Sequence, residues 1–260
     1  MGKISLTVIM PALNEEKNIK NALYATIHSL KAFNIDGEIL VINDGSTDNT
    51  KGIVEEVMKE HSIIRLVNNE KRSGLGGAFW KGVDEAHGEN VVVIPGDNEN
   101  DSTEIFRYFD LLDHVDIVIP FVYNKEVRSL FRNILSSVYR LIINLTFRVN
   151  FNYTNGTVLY KRSILTRLQF RNHNFFFQTD ILIRLVKSGY LFAEVPYRLD
   201  VREGGESSAV SFPSFLDVVK GYINLVKDHH IFKRSKKDEY HEQTSTAQRR
   251  NNSGQKEKSK

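Results

Sequence analysis

The sequence contains no cysteine. That excludes a disulfide framework, a thiolate metal site and a cysteine nucleophile, and it fits a reducing compartment. Long hydrophobic runs are also missing. Nothing approaches the roughly 18 uninterrupted apolar residues of a membrane span. The opening MGKISLTVIMPALNEE is no secretory leader, because its apolar run is short, ends in proline and acids, and lacks a small-residue cleavage site. The expected location is cytoplasmic, with any membrane attachment peripheral and on the cytoplasmic face.

Two further absences are local. Between Val127 and Thr179 there is no Asp or Glu, while Arg128, Arg132, Arg140, Arg148, Lys161, Arg162, Arg167 and Arg171 all fall there among many Leu, Ile and Phe. A basic, apolar, acid-free segment predicts contact with something greasy and anionic. Phe131, Leu135, Leu141, Ile142 and Phe147 are the side chains expected to enter a headgroup region, with the arginines on phosphates. The plainer alternative is a subdomain core or a partner-helix interface. From Lys233 to Lys260 apolar residues almost vanish, and the segment carries net +5 against about −2 for the rest of the chain. Such a tail is expected to be disordered.

What is present is enough for one large α/β domain or two small ones: 260 residues, 41% hydrophobic. The pattern alternates. ISLTVIMPAL, GEILVINDGS, SIIRLVNN, NVVVIPGD and VDIVIPFV read as strands. The segments between them carry helical spacing and capping residues. Continuous apolar strands joined by helices predict a mostly parallel sheet covered on both faces. Residues 1–122 form the first half. After it, RSLFRNILSSVYRLIINLTFRV predicts one or two interfacial helices, TNGTVLYKRSIL a turn and strand, and TDILIRLVKSGY a helix. LFAEVPYRLDVREGGESS predicts a strand and loop, and SFLDVVKGYINLVKDHHIF a last amphipathic helix. Residues 123–232 complete the domain, and 233–260 form the tail.

In open α/β sheets ligands bind beyond the carboxyl ends of the strands. PALNE, NDGSTD and GDNEND all lie at such ends. Asp97 and Glu99 stand two residues apart after a buried strand, where like charges are costly neighbours. A Mg²⁺ or Mn²⁺ ion would cancel that repulsion, taking one or two carboxylates from the protein and the rest from phosphate and water. A solvated turn with helix caps explains Ser102 and Asp101 better than Asp97. Asp44 could accept from a base or a ribose hydroxyl, whereas Thr47 or Asp48 suit a cap. Glu15 alone reads as a first-turn helix acid. SGLGGA is no dinucleotide fingerprint, since it lacks the full glycine pattern and follows the third strand.

VIMPALNEEKNI, EILVINDGSTDNT, NEKRSGLGGAFWKGVDEA and VVVIPGDNENDSTEI resemble, in order and spacing, a family 2 glycosyltransferase of the GT-A fold. The second half resembles the branch of dolichol-phosphate mannose synthase and other polyprenyl-phosphate glycosyltransferases. The resemblance implies a Rossmann-like, mostly parallel mixed sheet flanked by helices. It implies a GDP- or UDP-sugar donor, with Pro11, Leu13, Glu15, Asp44 and Asn98 around the nucleotide. Asp97, Glu99 and Asp101 would be the metal contacts, and Arg202 would meet phosphate. Departures are Glu99 for the usual second Asp, Ser208 where Lys is usual, and Asn152 or Asn155 for an Asp.

The expected reaction is an inverting transfer to a polyprenyl phosphate or other anionic lipid, beside a membrane surface or a membrane-protein partner. A lipid phosphate needs no base. A hydroxyl acceptor, on a glycolipid or a polysaccharide precursor, would need one, and Asp180 is the candidate, with Gln178 nearby. An inactive scaffold of the same fold is the rival from another class. Nucleic acid is not expected as a partner, because the strand-end acids would repel it.

Overall fold

The computed structural model describes residues 4–199, 212–228 and 244–250, with only the backbone of 212–216. In the first half, β1 (Leu6–Ala12), β2 (Gly37–Asn43), β3 (Ile64–Asn68), β4 (Asn90–Val93) and β5 (Ile117–Val122) alternate with α1 (Ile19–Ala32), α2 (Thr50–Glu60), α3 (Gly74–Glu85) and α4 (Ser102–Phe106). The second half holds α5 (Leu130–Phe147), β6 (Leu159–Lys161), α6 (Arg162–Leu165), α7 (Phe177–Lys187), β7 (Phe192–Tyr197) and α8 (Phe212–Val226). The strands form one seven-stranded sheet in the order β3-β2-β1-β4-β6-β5-β7. Every pairing is parallel except those of β6, which runs antiparallel between β4 and β5.

Alternation along each strand divides the core in two. Leu6, Val8, Met10, Ile39, Val41 and Val92 face a cluster completed by α1, α2 and α4. Ile9, Leu40, Ile42, Val91 and Val93 face the opposite cluster, with Phe79 and Trp80 of α3, Ile143 and Phe147 of α5 and Ile181 of α7. Both faces are covered, which is why these strands read as unbroken apolar runs.

The glycines of SGLGGA serve this packing. A Cβ on Gly76 would lie 2.5 Å from the carbonyl oxygen of His173, and one on Gly82 would lie 2.4 Å from Ile9. Helix α3 therefore sits against β1 and the loop before α7 at backbone distance. Trp80 secures the same loop by donating from Nε1 to the Asn172 carbonyl at 2.9 Å.

Two elements differ from expectation, and a third settles an alternative between one helix and two. The helix expected through residues 102–114 divides into α4 and a 3-10 turn, Phe109–Asp113. Both pieces feed the same cluster through Ile105, Phe106 and Leu112. The 130–147 stretch is one helix of 18 residues, capped by Ser129 Oγ accepting from the Arg132 amide. Within the tail expected to be disordered, residues 244–250 instead contain a helical turn. Thr244, Ser245, Thr246 and Ala247 are buried there, because their polar groups are bonded to the buried Asp116 and its surroundings.

Candidate active site

The parallel strands β1, β2 and β4 are neighbours, so their carboxyl ends share one edge. Backbone bonds tie that edge together: Asp44 N–H donates to Ala12, Gly96 N–H to Pro11, and Asn69 N–H to Asn43, each at 2.9 Å. PALNE, NDGSTD and GDNEND are thereby brought to one edge of the sheet, the edge where open α/β folds carry their ligand crevice.

The loops of β1 and β2 are laced to each other. Asn14, in a left-handed conformation (φ 58°), receives at Oδ1 from the Thr47 amide at 2.8 Å. Glu15 N–H donates to Thr50 Oγ1 at 2.8 Å, and the Glu15 carboxylate accepts from Asn18 at 2.9 Å. Glu16 and Asp48 each accept from an amide of the other loop. Pro11 is buried within β1, and Leu13 and Glu15 are half-buried at the crevice edge.

Asp44 is 4% exposed and heavily bonded. Its Oδ1 accepts from Asn69 Nδ2, Ser73 N–H and Ser73 Oγ, and its Oδ2 from Gly74 N–H at 2.8 Å. It fastens the loop between β3 and α3 to the end of β2.

Beyond β4 the chain turns at Asn98, left-handed with φ 59°. The Asp97 carboxylate accepts from the Glu99 amide at 3.0 Å, which closes the turn between the two acids. Asp101 is different. Its Oδ1 accepts from Thr103 N–H at 2.8 Å and caps α4. That bond makes Asp101 a helix cap through one oxygen, so the expected metal contact would fall to the other. Among the described residues no cluster of three or more His, Asp or Glu able to hold a metal is formed. Two acids with a substrate diphosphate nevertheless match the share that Mg²⁺ ordinarily takes from a protein.

In the second half, Gln178 at the start of α7 donates to the Gly156 carbonyl. Tyr139 of α5 meets Thr179 at 2.7 Å, and Thr179 also bonds Thr154 at 3.0 Å. Burial pushes the Tyr139 phenol up to about 12, so it stays a neutral hydrogen-bonding group. Asp180 is 1% exposed. Both its oxygens accept from Arg184, at 2.8 and 3.1 Å, and Arg184 continues to Asp228 at 2.9 Å. Burial raises the Asp180 pKa, the Arg184 bonds and charge notwithstanding. A base must reach its proton, and a sealed carboxylate clamped to an arginine does not. Asp180 therefore fastens α7 to the segment after α8.

Helix α5 presents one apolar stripe outward. Leu130, Phe131, Ile134, Leu135, Val138, Leu141, Ile142 and Leu145 are all exposed, Leu130 at 76% and Phe131 at 70%. Phe147, expected on that face, instead points into the core and meets the Tyr222 ring edge-on at 6.2 Å. At the start of the stripe, the Arg128 guanidinium lies 5.5 Å from the centre of the Tyr153 ring. Arg202 and Ser208 lie outside the described residues.

The sequence pattern of glycosyl transferase family 2 matches residues 7–169, more than half of the chain. The chain belongs to glycosyl transferase family 2. An uncharacterized protein of Methanocaldococcus jannaschii is 27% identical over 85% of this chain and 99% of its own length. Glycosyltransferase AglD of Haloferax volcanii is 25% identical over 74% of this chain. A dolichyl-phosphate beta-glucosyltransferase of Trichomonas vaginalis is 34% identical over 37%. The matched regions span about a third of these last two proteins, 32% and 31%. Among solved structures, glucosyl-3-phosphoglycerate synthase of Mycobacterium tuberculosis bound to UDP superposes with a TM-score of 0.63, at 20% identity, over 85% of this chain and 80% of its own. That likeness shows the GT-A fold.

As a family 2 glycosyltransferase, the protein has its first-half motifs on the strand ends where the pattern of apolar runs put them. Sequence reasoning missed Asn69 and Ser73, which bind Asp44, and Tyr139, which joins α5 to α7. The available signal was the polar stretch NNEKRS just before α3. For Asp180 it was Arg184 four residues on, the spacing of a helical ion pair.

Proposed function

We propose that this glycosyltransferase moves a sugar from a nucleoside diphosphate sugar onto a polyprenyl phosphate or a similar anionic lipid, at the cytoplasmic face of a membrane. The observation that carries the lipid acceptor is the outward stripe of α5, an apolar face in a segment without a single acid. An amphipathic helix of this kind lies in an interface with its cations toward headgroup phosphates. The name of the Trichomonas relative supports the same acceptor class. Solved neighbours containing UDP-glucose and Mn²⁺, or UDP and Mg²⁺, support a nucleotide-sugar donor used with a divalent ion.

In this reading Pro11, Leu13 and Glu15 wall the nucleoside. Asp44 shapes that wall by holding Ser73 and Gly74. Asp97 and Glu99, on either side of Asn98, would hold Mg²⁺ or Mn²⁺, which when bound neutralises charge developing on the diphosphate. Arg202 is the proposed second partner of that diphosphate. Arg128, held against Tyr153, is the cation proposed to meet the acceptor phosphate. The acceptor oxygen attacks the anomeric carbon from the face opposite the diphosphate, which inverts the configuration. A phosphate oxygen is already an anion, so the sealed state of Asp180 is no obstacle. A hydroxyl acceptor would need a base from elsewhere.

The test is a panel of UDP- and GDP-sugars with Mn²⁺ or Mg²⁺, offered a short polyprenyl phosphate in vesicles, a glycolipid hydroxyl and 3-phosphoglycerate, with products weighed by mass spectrometry. A glycosylated lipid phosphate is expected. Transfer only to a hydroxyl or to phosphoglycerate overturns the acceptor. No transfer and no hydrolysis of any donor overturns the enzyme reading in favour of an inactive scaffold.

A further inference from the structure

At the end of the sheet opposite the crevice, Asp116 precedes β5 and is completely buried. A carboxylate there needs donors. They come from a remote part of the chain. Asp116 Oδ1 accepts from Ser245 N–H at 2.7 Å, and Oδ2 accepts from Thr246 N–H at 3.2 Å and from Thr246 Oγ1.

The neighbouring contacts fit the hydroxyls one by one. Thr246 Oγ1 accepts from the Leu191 amide at 2.9 Å. Ser245 Oγ accepts from Lys161 Nζ at 3.0 Å and lies 3.4 Å from the Val115 carbonyl. Thr244 Oγ1 accepts from the Ala247 amide at 3.2 Å. One short turn thus bridges the start of β5, the end of β6 and the approach to β7.

We propose that residues 244–247 are a detachable latch, whose docking on Asp116 holds α8 against α5 and α7. Helix α8 precedes the latch in the chain and contacts both helices. Tyr222 meets Thr146 of α5 at 2.8 Å, Leu225 enters the core, and Asp228 just beyond the helix pairs with Arg184 of α7. A second attachment downstream limits the conformations available to a released α8, which favours the packed one. The latch is detachable because of what it is made of. Three of its four residues are hydroxyl-bearing, and only Ala247 buries an apolar side chain. Docking therefore rests on hydrogen bonds rather than on apolar burial, and on release water can take over each of them. The proposal stands whether or not the acceptor is a lipid.

Hydrogen exchange on the full chain, on Thr246→Val and on a chain ended after residue 243 tests it. The Leu191 amide is a direct reporter, because its acceptor is Thr246 Oγ1. In both altered proteins the Leu191 amide and the amides of α8 should exchange at least tenfold faster, while those of β1 and β2 stay unchanged. Unchanged exchange at Leu191 in Thr246→Val overturns docking. Faster exchange at Leu191 with α8 unaffected overturns the hold on α8. If the shortened chain does not fold, Thr246→Val, which alters one side chain, decides alone.

Discussion

Replacing Leu130 and Phe131 together with glutamine should detach the protein from anionic vesicles while leaving its fold and donor chemistry intact. These side chains are 76% and 70% exposed at the start of the α5 stripe. Full burial of a Leu or Phe side chain is worth about 1.5–3 kcal/mol. Scaled by those exposures, the pair would contribute about 3 kcal/mol on entering an interface, on the order of 100-fold in binding. Neither residue belongs to either core cluster, so the melting temperature should move by no more than a degree or two. The assay is co-sedimentation with vesicles containing phosphatidylserine, across a range of salt. Donor hydrolysis in the absence of lipid serves as the control for an intact first half. Vesicle affinity within twofold of the parent protein, at equal folding, would refute membrane contact through α5. A shift from dimer to monomer in the variant would assign the stripe to a second copy instead.

Asp97→Asn should abolish turnover with Mg²⁺ or Mn²⁺ without lowering the melting temperature; parental kcat in that variant removes the metal role. Asp180→Asn should keep turnover within tenfold of the parent per folded molecule, whereas loss of a general base costs about 10²–10⁴. Arg184→Met should lower stability by about 3–5 kcal/mol in urea titration, because it leaves the buried Asp180 without its cation; a smaller loss than 1 kcal/mol refutes the anchoring role. Glu38 contributes to the acid limb of stability. Burial raises its pKa, but hydrogen bonds from the His87 amide, Thr7 and Arg65 outweigh that and hold it below 4.5. Its contribution is thus present above the unfolded-state value and is lost as pH falls through the folded one. Glu38→Gln should flatten the decline of melting temperature below about pH 4.5, and an unchanged acid limb would exclude it.

Features set by local chemistry were readable in advance. Val91 to Val93 read as a covered parallel strand because they run on into Ile94 as four consecutive apolar residues, and Asp97 stood out because it follows that strand across a Pro-Gly turn. The cap at Asp101 was readable too, since Asp-Ser-Thr is a helix-start signature. Partnerships across long chain separations were not. Asp44 is bonded to Asn69 and Ser73 from a different βα unit, and nothing near Asp44 announces them. The Asp116 partners are Ser245 and Thr246, in a stretch whose composition by itself predicts disorder. Phe147 shows the same limit on a smaller scale. Its type matches the outward stripe, but its angular position on α5 sends it inward, and only the helix register decides between the two.

The reversed strand explains how the two halves meet. Were β6 parallel, the loop leading into it would open at the Asp116 end of the sheet. Because β6 is antiparallel to both β4 and β5, the segment 148–158 enters from the crevice, and Lys161 and Arg162 leave at the other end. That reversal puts Tyr153 beside Arg128, just past the end of β5. It puts Thr154 and Gly156 against Thr179 and Gln178 at the start of α7. The strand ends of β1, β2 and β4 offer acids and backbone turns, suited to a nucleotide and its ion. Across the β6 entry the chain offers arginine, tyrosine and small hydroxyls, with the α5 stripe just outside. The two surfaces differ in charge, as the proposed assignment of donor to one and acceptor phosphate to the other requires. Under the proposed function, the reacting atoms would meet between Asp97 and the loop before β6.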